Sequence, residues 1–300
     1  MRCAPSWLLA SILVLFASAA TSSAAQLAAA SSQPLARAQW IAAESDSSAA
    51  ANLAPLPLFR DEFFLSKKIS SATLYLSGLG QFEAHINSRN VTDTVLNPAW
   101  SDYHKHIFYC TYDVTPLLHP GINAIGVMLG NGMYNVPITP GRYQKFHGSF
   151  GHPKLILQLE VKFSDGSSQS IVSNGAWKTA PGPITFTSIY GGEDYDARLQ
   201  QTGWDLPGFN AKHWSSVAIV TGPGGILVPE TIPPIRLFNR YDPVKISHPK
   251  PGLTVYDLGE NSSGWPEIAV HGPRGSRVKL IAGELLDSRG FVTQRSAHAS

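Results

Sequence analysis

The chain has 300 residues, 43% hydrophobic and 15% charged, enough apolar content to bury a sizeable core and too much for a disordered polymer. Its formal charge is only +2 and its Lys and Arg residues are scattered, so no basic stripe exists to track a phosphate backbone, and nucleic acid is excluded as an expected partner. The 2 cysteines, Cys3 and Cys110, leave no room for a disulfide framework or a cysteine zinc site.

In chain order, Met1 and Arg2 precede the apolar run "WLLASILVLFASAA" from Trp7 and a small-residue stretch ending before Gln26. Residues 1–25 therefore read as a secretory signal peptide cleaved after Ala25, with no membrane span in the chain that follows and a secreted or periplasmic location expected. Residues 26–54 are Ala/Ser-rich and read as a tether, from which Trp40 and Ile41 of "AQWIAA" dock on the first folded unit.

From residue 55 the pattern becomes short alternating runs broken by turn residues. Strands are predicted at Thr73 to Leu76, Phe82 to Ile86, Ile107 to Tyr112, Asn123 to Leu129 and Ile184 to Ile189. The clearest signal is the hairpin "KLILQLEVKFSDGSSQSIV". Leu155, Leu157, Leu159, Val161 and Phe163 fall on one face; Ile156, Gln158, Glu160 and Lys162 fall on a mostly wet one. Asp165-Gly166 is expected to form a type I′ turn between them. Cys110 lies within the alternation of "HIFYCTYDV" and reads as a buried, inert thiol. The fold class is all-β: a jelly-roll-like β-sandwich over residues 55–240. In residues 241–300 two or three strands around the "GPRG" turn read as the start of a second, partial β-domain.

Four stretches could carry chemistry. In "YGGEDYDARLQQTGWD" (190–205) an extended backbone puts Asp194, Asp196 and Arg198 on one face and Glu193 and Tyr195 on the other. Asp194 and Asp196 would stand roughly 7 Å apart, within the ~6.5–9.5 Å of inverting glycosidases, yet neighbours on one strand cannot flank a scissile bond. Pairing with Arg198 suits an anchored network, and Glu193 and Tyr195 remain candidates for sugar contact. In "LNPAWSDYHKH", Trp100 and Tyr103 offer flat faces to a sugar's C–H side, while Asn97, Asp102 and His104 offer directional hydrogen bonds. A core plug and a loop cap are the competing readings. In "GNGMYN", Gly130 and Gly132 allow close backbone approach and Asn131, Tyr134 and Asn135 can point outward; a plain turn competes. In "YDLGENSSGW", Asp257, Glu260, Asn261 and Trp265 read more simply as a turn. No H-E-x-x-H, EF-hand, P-loop, dinucleotide or G-x-S-x-G pattern is present.

Several stretches, taken in order from about Ala72 to Thr293, resemble the N-terminal portion of bacterial α-L-rhamnosidases. They are "LYLSGLGQFEAHINSRNVTDTVLNPAWSDYHKHIFYCTYDVTPLL", "NAIGVMLGNGMY", "GGEDYDARL" with "GWDLPGFNAKHW", and "YDLGENSSGWPEIAVHGPRGSRVKLIAGELLD". One departure is the turn after "HIN", where Ser88 stands in a place more comfortable for glycine. The resemblance implies a β-sandwich related to rhamnose-binding carbohydrate modules, a second β-domain, and a downstream (α/α)6 barrel that performs inverting glycoside hydrolysis. The barrel has no counterpart in this chain, so the chain alone is expected to be inactive. The implied partners are a rhamnose-containing glycan or glycoside and that catalytic barrel. The implied cofactor is calcium, for which Asp102, Asn131 and Glu193 are the candidate oxygen donors.

Overall fold

A computed structural model describes residues 33–43, 55–273 and 275–293. The signal-peptide reading at 1–25 and most of the tether lie outside the described residues. The chain divides into two compact units, with the boundary in sequence between Arg236 and Leu237.

The strands of the first unit, in order, are β1 (Ile41–Ala42), β2 (Pro57–Leu65), β3 (Ile69–Leu79), β4 (Phe82–Ile86), β5 (Arg89–Asn90), β6 (Thr94–Val95), β7 (His106–Asp113), β8 (Gly121–Leu129), β9 (Asn135–Val136) and β10 (Gly148–Ser149). They continue as β11 (Lys154–Phe163), β12 (Ser168–Val172), β13 (Lys178–Pro181), β14 (Ile184–Ser188), β15 (Gly192–Tyr195), β16 (Ser215–Ser216), β17 (Ala218–Ile219), β18 (Ile226–Pro229) and β19 (Ile235–Arg236). One sheet runs β17-β1-β11-β3-β7-β18 with β12 also paired to β11; the other runs β16-β13-β2-β8-β4-β5. Leu74, Leu76, Leu155, Leu157 and Leu159 from the first sheet join Phe59, Phe63, Ala84, Ile86, Ile125 and Val127 from the second in one buried cluster, the interior of an all-β sandwich.

Local chemistry explains the pairings and corrects several expectations. The inward alternation of β11 is as expected, with Leu155, Leu157, Leu159 and Val161 fully enclosed. The opposite face is wetter only at its far end, since Ile156 and Gln158 are buried too. The cause is the segment read as a tether. Residues 33–43 lie along this sheet: Ile41 pairs with Leu155 and Ile219, the Arg37 amide donates to Gln158 Oε1 at 3.3 Å, and Leu35 and Ile41 are buried. The hairpin turn is not type I′ either. Of Asp165 and Gly166 only the glycine has positive φ, at 83°, and the Phe163 amide closes on Ser167 O, which is a type I turn with a glycine bulge. The two-residue type I′ geometry falls instead on Asn87 (φ 51°) and Ser88 (φ 62°) between β4 and β5. Ser88 is held there by Asp205, whose Oδ1 accepts from the Ser88 hydroxyl at 3.0 Å and whose Oδ2 lies 2.7 Å from His85 Nδ1.

The stretch "GWDLPGFNAKHW" covers the outer face of the second sheet. A Cβ on Gly126 of β8 would meet the Trp204 ring at 2.6 Å, and Arg60 of β2 donates to the carbonyls of Trp204 and Leu206 at 2.8 and 2.9 Å.

In the second unit, β20 (Lys245–Lys250) and β21 (Leu253–Asp257) form an antiparallel hairpin, and β22 (Leu285–Leu286) pairs with β23 (Val292–Thr293). The hairpin turns at Pro251-Gly252, with Gly252 at φ 75°, and not at "GPRG": the described residues between 258 and 284 hold no strand.

Candidate functional site

Four connections and one strand of the first unit converge on a cleft of about 250 Å³. Gly80 and Gln81 come from the β3–β4 turn, and Leu96, Pro98, Ala99, Trp100 and Tyr103 from the loop after β6. Met133 follows β8, Ile189 sits in the β14–β15 turn, and Ile235 belongs to β19. Glycine makes the convergence possible. Gly80 has φ 116° and a Cβ there would stand 1.9 Å from Gly130 O, while the Gly130 amide donates to Gln81 O at 2.6 Å. "GLGQ" and "GNGM" are thus two backbones in contact, as the glycine spacing suggests.

Aromatic residues build the floor and rim. Tyr103 is buried and meets Tyr134 and Phe150 edge-on at centroid distances of 5.1 and 5.2 Å. Burial, with the neighbouring Tyr134 second, pushes the Tyr103 phenol up to about 12, so it stays a neutral hydroxyl. Trp100 is 60% exposed and stacks on Phe146 at 6.4 Å. From Phe146 the rim continues to Tyr190 at 5.2 Å and Tyr143 at 6.2 Å beyond it. Arg142 ties this loop to the β14–β15 hairpin, donating to Gly191 O at 3.1 Å, pairing with Asp194 and lying 4.3 Å over the Phe186 ring.

Of the sequence-predicted residues, Trp100 and Tyr103 line the cleft together. Asn97 is buried just behind it, donating to Thr94 Oγ1 at 2.7 Å while its carbonyl accepts from the Phe82 amide. Tyr134 is fully enclosed and donates to Phe150 O at 3.0 Å, so its ring is part of the floor's support. Asn131 is buried, with Nδ2 on Thr187 O at 2.8 Å and Oδ1 accepting from Asn135 at 2.9 Å. Asp102 caps the turn before β7 and pairs with Lys105 at 3.0 Å; the Lys105 hydrogen bond, first among its causes, holds its carboxyl below the ordinary range. Glu193 and Tyr195 lie exposed on β15. Although Glu193 is exposed overall, partial desolvation of its carboxyl and, second, the charge of Glu83 raise it, and Tyr195 donates to Gln200 Oε1 at 3.2 Å.

Of the three candidate calcium donors, Asp102 pairs with Lys105 and Asn131 with Asn135, while Glu193 is exposed on β15; among the described residues no three His, Cys, Asp or Glu side chains form a metal-binding group. Alternation also misplaces the carboxylates after residue 195. β15 ends at Tyr195, and Asp196 N-caps a short 3-10 turn (Ala197–Leu199), accepting from the Arg198 amide at 3.0 Å and from its guanidinium at 2.8 Å. Asp196 is held down to about 2 by that arginine, whereas Asp194 goes to Arg142.

Gln81, Met133, Phe146, Ile189, Tyr190 and Ile235 escape the sequence reading. The available signal was the 137–150 loop, "PITPGRYQKFHGSF", a long Pro/Gly-punctuated connection carrying aromatic residues. None of the side chains lining the cleft is a carboxylate or an imidazole. Chemically it offers stacking surface, methyl-sized apolar walls and a few backbone and amide polar groups, which suits holding a ligand and supplies no acid or base.

Residues 67–239 match the α-L-rhamnosidase N-terminal domain, and residues 247–299 match the bacterial α-L-rhamnosidase concanavalin-like domain. An α-L-rhamnosidase of Streptomyces avermitilis is 38% identical over 245 residues, covering 78% of this chain and 22% of the relative. One from Alteromonas sp. is 31% identical over 273 residues, covering 88% of this chain and 29% of the relative. Among solved structures, the Aspergillus terreus α-L-rhamnosidase superposes with a TM-score of 0.76 at 37% identity, over 86% of this chain and 30% of that one. The S. avermitilis enzyme complexed with L-rhamnose gives 0.69 at 32% identity, over 82% and 24%. The chain spans about a quarter of the length of the curated relatives it matches, from 22% to 29%.

Proposed function

Because the chain belongs to the bacterial α-L-rhamnosidase family, through its N-terminal accessory portion, we propose that its first unit binds terminal L-rhamnose of a glycan or glycoside in the cleft walled by Trp100. The observation that carries this reading is an apolar, aromatic-rimmed cleft of about 250 Å³ with no carboxylate or imidazole in its lining. That volume falls below the roughly 300 Å³ at which pockets for drug-sized ligands begin, and suits one sugar ring. L-Rhamnose is a 6-deoxyhexose. Its methyl group and C–H face match Leu96, Met133, Ile189 and the Trp100 indole, where a primary hydroxyl would be left without a partner. The relatives, each several times longer than this chain, support a catalytic barrel in the same full-length protein, and the leader read at residues 1–25 supports delivery outside the cytoplasm.

One observation favours a second role as a brace. The exposed apolar rim continues past the cleft along Phe146 and Tyr143, with half-buried Tyr190 between them, a surface that a neighbouring catalytic domain would cover. Calorimetric titration with L-rhamnose separates the two. Trp100→Ala should weaken binding by about tenfold or more, the order expected for losing a stacking face. Lys162→Ala, at the exposed far end of β11 and outside the cleft lining, should not change it. Equal affinity of wild type and Trp100→Ala would remove the sugar site from this cleft and leave the brace.

A further inference from the structure

The segment from Gly225 to Arg236 forms a strap over the loop that carries Trp100. It starts against Tyr103, where the Gly225 amide donates to Tyr103 O at 3.2 Å and a Cβ on Gly225 would meet that oxygen at 2.4 Å. It then runs parallel to β7, Ile226 opposite His106 through Pro229 opposite Tyr109, and the Glu230 amide extends the ladder to Tyr109 O at 2.9 Å. Farther on, Ile235 pairs with Val95 of β6 and forms part of the cleft wall.

Glu230 sits where the strap leaves β7, and its two carboxylate oxygens reach in different directions. Oε1 accepts from the Ala99 amide at 3.0 Å, and Oε2 accepts from the Cys110 thiol at 2.9 Å. Cys110 is buried in β7, against the sandwich interior, so the carboxylate joins a fixed strand to a cleft loop. Trp100, immediately after Ala99, is 60% exposed and so is not oriented by core packing. The backbone at Ala99 and the stack on Phe146 are what place its indole. We propose that Glu230 is a positioning residue for the sugar cleft, acting through the Ala99 N–H to hold the Trp100 wall at its distance from Ile235. The proposal rests on the reading of this cleft as the rhamnose site. It also gives the buried thiol a structural task, donating the hydrogen bond that orients the carboxylate.

The test compares wild type, Glu230→Ala, Glu230→Gln and Trp100→Ala in the full chain. It uses amide hydrogen exchange resolved at residues 96–100 and calorimetric titration with L-rhamnose. In Glu230→Ala, exchange at Ala99 should quicken while amides of β11 keep wild-type protection, and L-rhamnose affinity should fall about tenfold, the factor for one hydrogen bond to a charged group. Glu230→Gln retains an acceptor and the side chain's shape, so it should keep most of the affinity; if the alanine variant does not fold, Glu230→Met, which keeps the volume and lacks the oxygen acceptor, takes its place with the same expected losses. Faster exchange with unchanged affinity, while Trp100→Ala loses binding, would reduce Glu230 to a structural tie and overturn the proposal with the cleft reading intact. Unchanged exchange at Ala99 would overturn it directly. If Trp100→Ala itself binds as wild type does, the cleft reading fails and the positioning role falls with it.

Discussion

Asp61 offers the sharpest test of the physical account, because it places a carboxyl where the strand pattern calls for an apolar side chain. On β2 it shares a face with Phe59, Phe63 and Leu65, all three buried in the sandwich core. The adjacent Arg60 points the other way and is committed to Glu62 at 2.6 Å and to the carbonyls of Trp204 and Leu206. Burial therefore dominates, the Glu62 backbone and Arg60 charge offset only part of it, and the carboxyl is pushed up from the usual 3.8 to about 6. The sign follows. Between about pH 4 and pH 6 the folded chain holds a proton that the unfolded chain has released, so this group's contribution to stability is full below pH 4 and is lost as pH rises through 6. A shift of that size corresponds to at most about 3 kcal/mol, and partial water access reduces it to roughly 1–3 kcal/mol. Asp61→Asn removes the titration. It should be more stable than wild type by about that amount at pH 7, with the difference shrinking toward pH 4. Urea unfolding at half-unit steps from pH 4 to 7.5 measures both curves. A constant difference between them across that range would refute the assignment of the shift to burial.

Three further outcomes follow from the same geometry. Gly80→Ala should cost at least about 2 kcal/mol in urea unfolding, since φ 116° and the 1.9 Å approach to Gly130 O leave no room for a Cβ. Arg198→Ala should leave the melting temperature at the wild-type value, because the Arg198 side chain is 87% exposed and its partner Asp196 already caps the turn through the backbone amide; a clear drop in a thermal scan would contradict this. The isolated chain should release no rhamnose from an aryl α-L-rhamnoside, as no acid or base lines the cleft, and turnover that survives purification and disappears in Trp100→Ala would overturn that.

Legibility in the sequence followed the range of the interactions involved. Strands β3, β4, β7, β8 and β11 could be read because their apolar periodicity is local and one face meets a common core. The burial of Ile156 and Gln158 could not, because it depends on residues 33–43 returning more than a hundred positions away in sequence, from a stretch whose Ala/Ser content resembles a linker. Turn chemistry was readable in part. Glycine marked the Gly166 bulge, but Ser88 in a positive-φ position is intelligible only with Asp205 beside it. For the cleft, residue type identified Trp100 and Tyr103, since aromatic residues amid turn residues are conspicuous. Met133, Phe146 and Ile235 reach the same cleft from separate connections, and no local pattern announces that convergence.

The acidic run "GGEDYDARL" shows why residue content alone misleads about chemistry. General acid–base hydrolysis needs two carboxyls on opposite sides of one bond, one of them kept protonated by its surroundings. Here the exposed β14–β15 hairpin sends Asp194 to Arg142, while the end of the strand turns Asp196 onto Arg198 and holds it ionised near 2. Glu193 is shifted upward, but its nearest acidic influence is Glu83, and neither side chain lines the cleft. The ion pair of Asp194 has its consequence elsewhere. With Arg142 it ties to the hairpin the 137–150 loop, from which Phe146 stacks on Trp100 and meets Tyr190. The run therefore meets the cleft through architecture: Asp194 pairs with the arginine of the loop that carries the aromatic rim, and that rim is the surface the proposed sugar site would use.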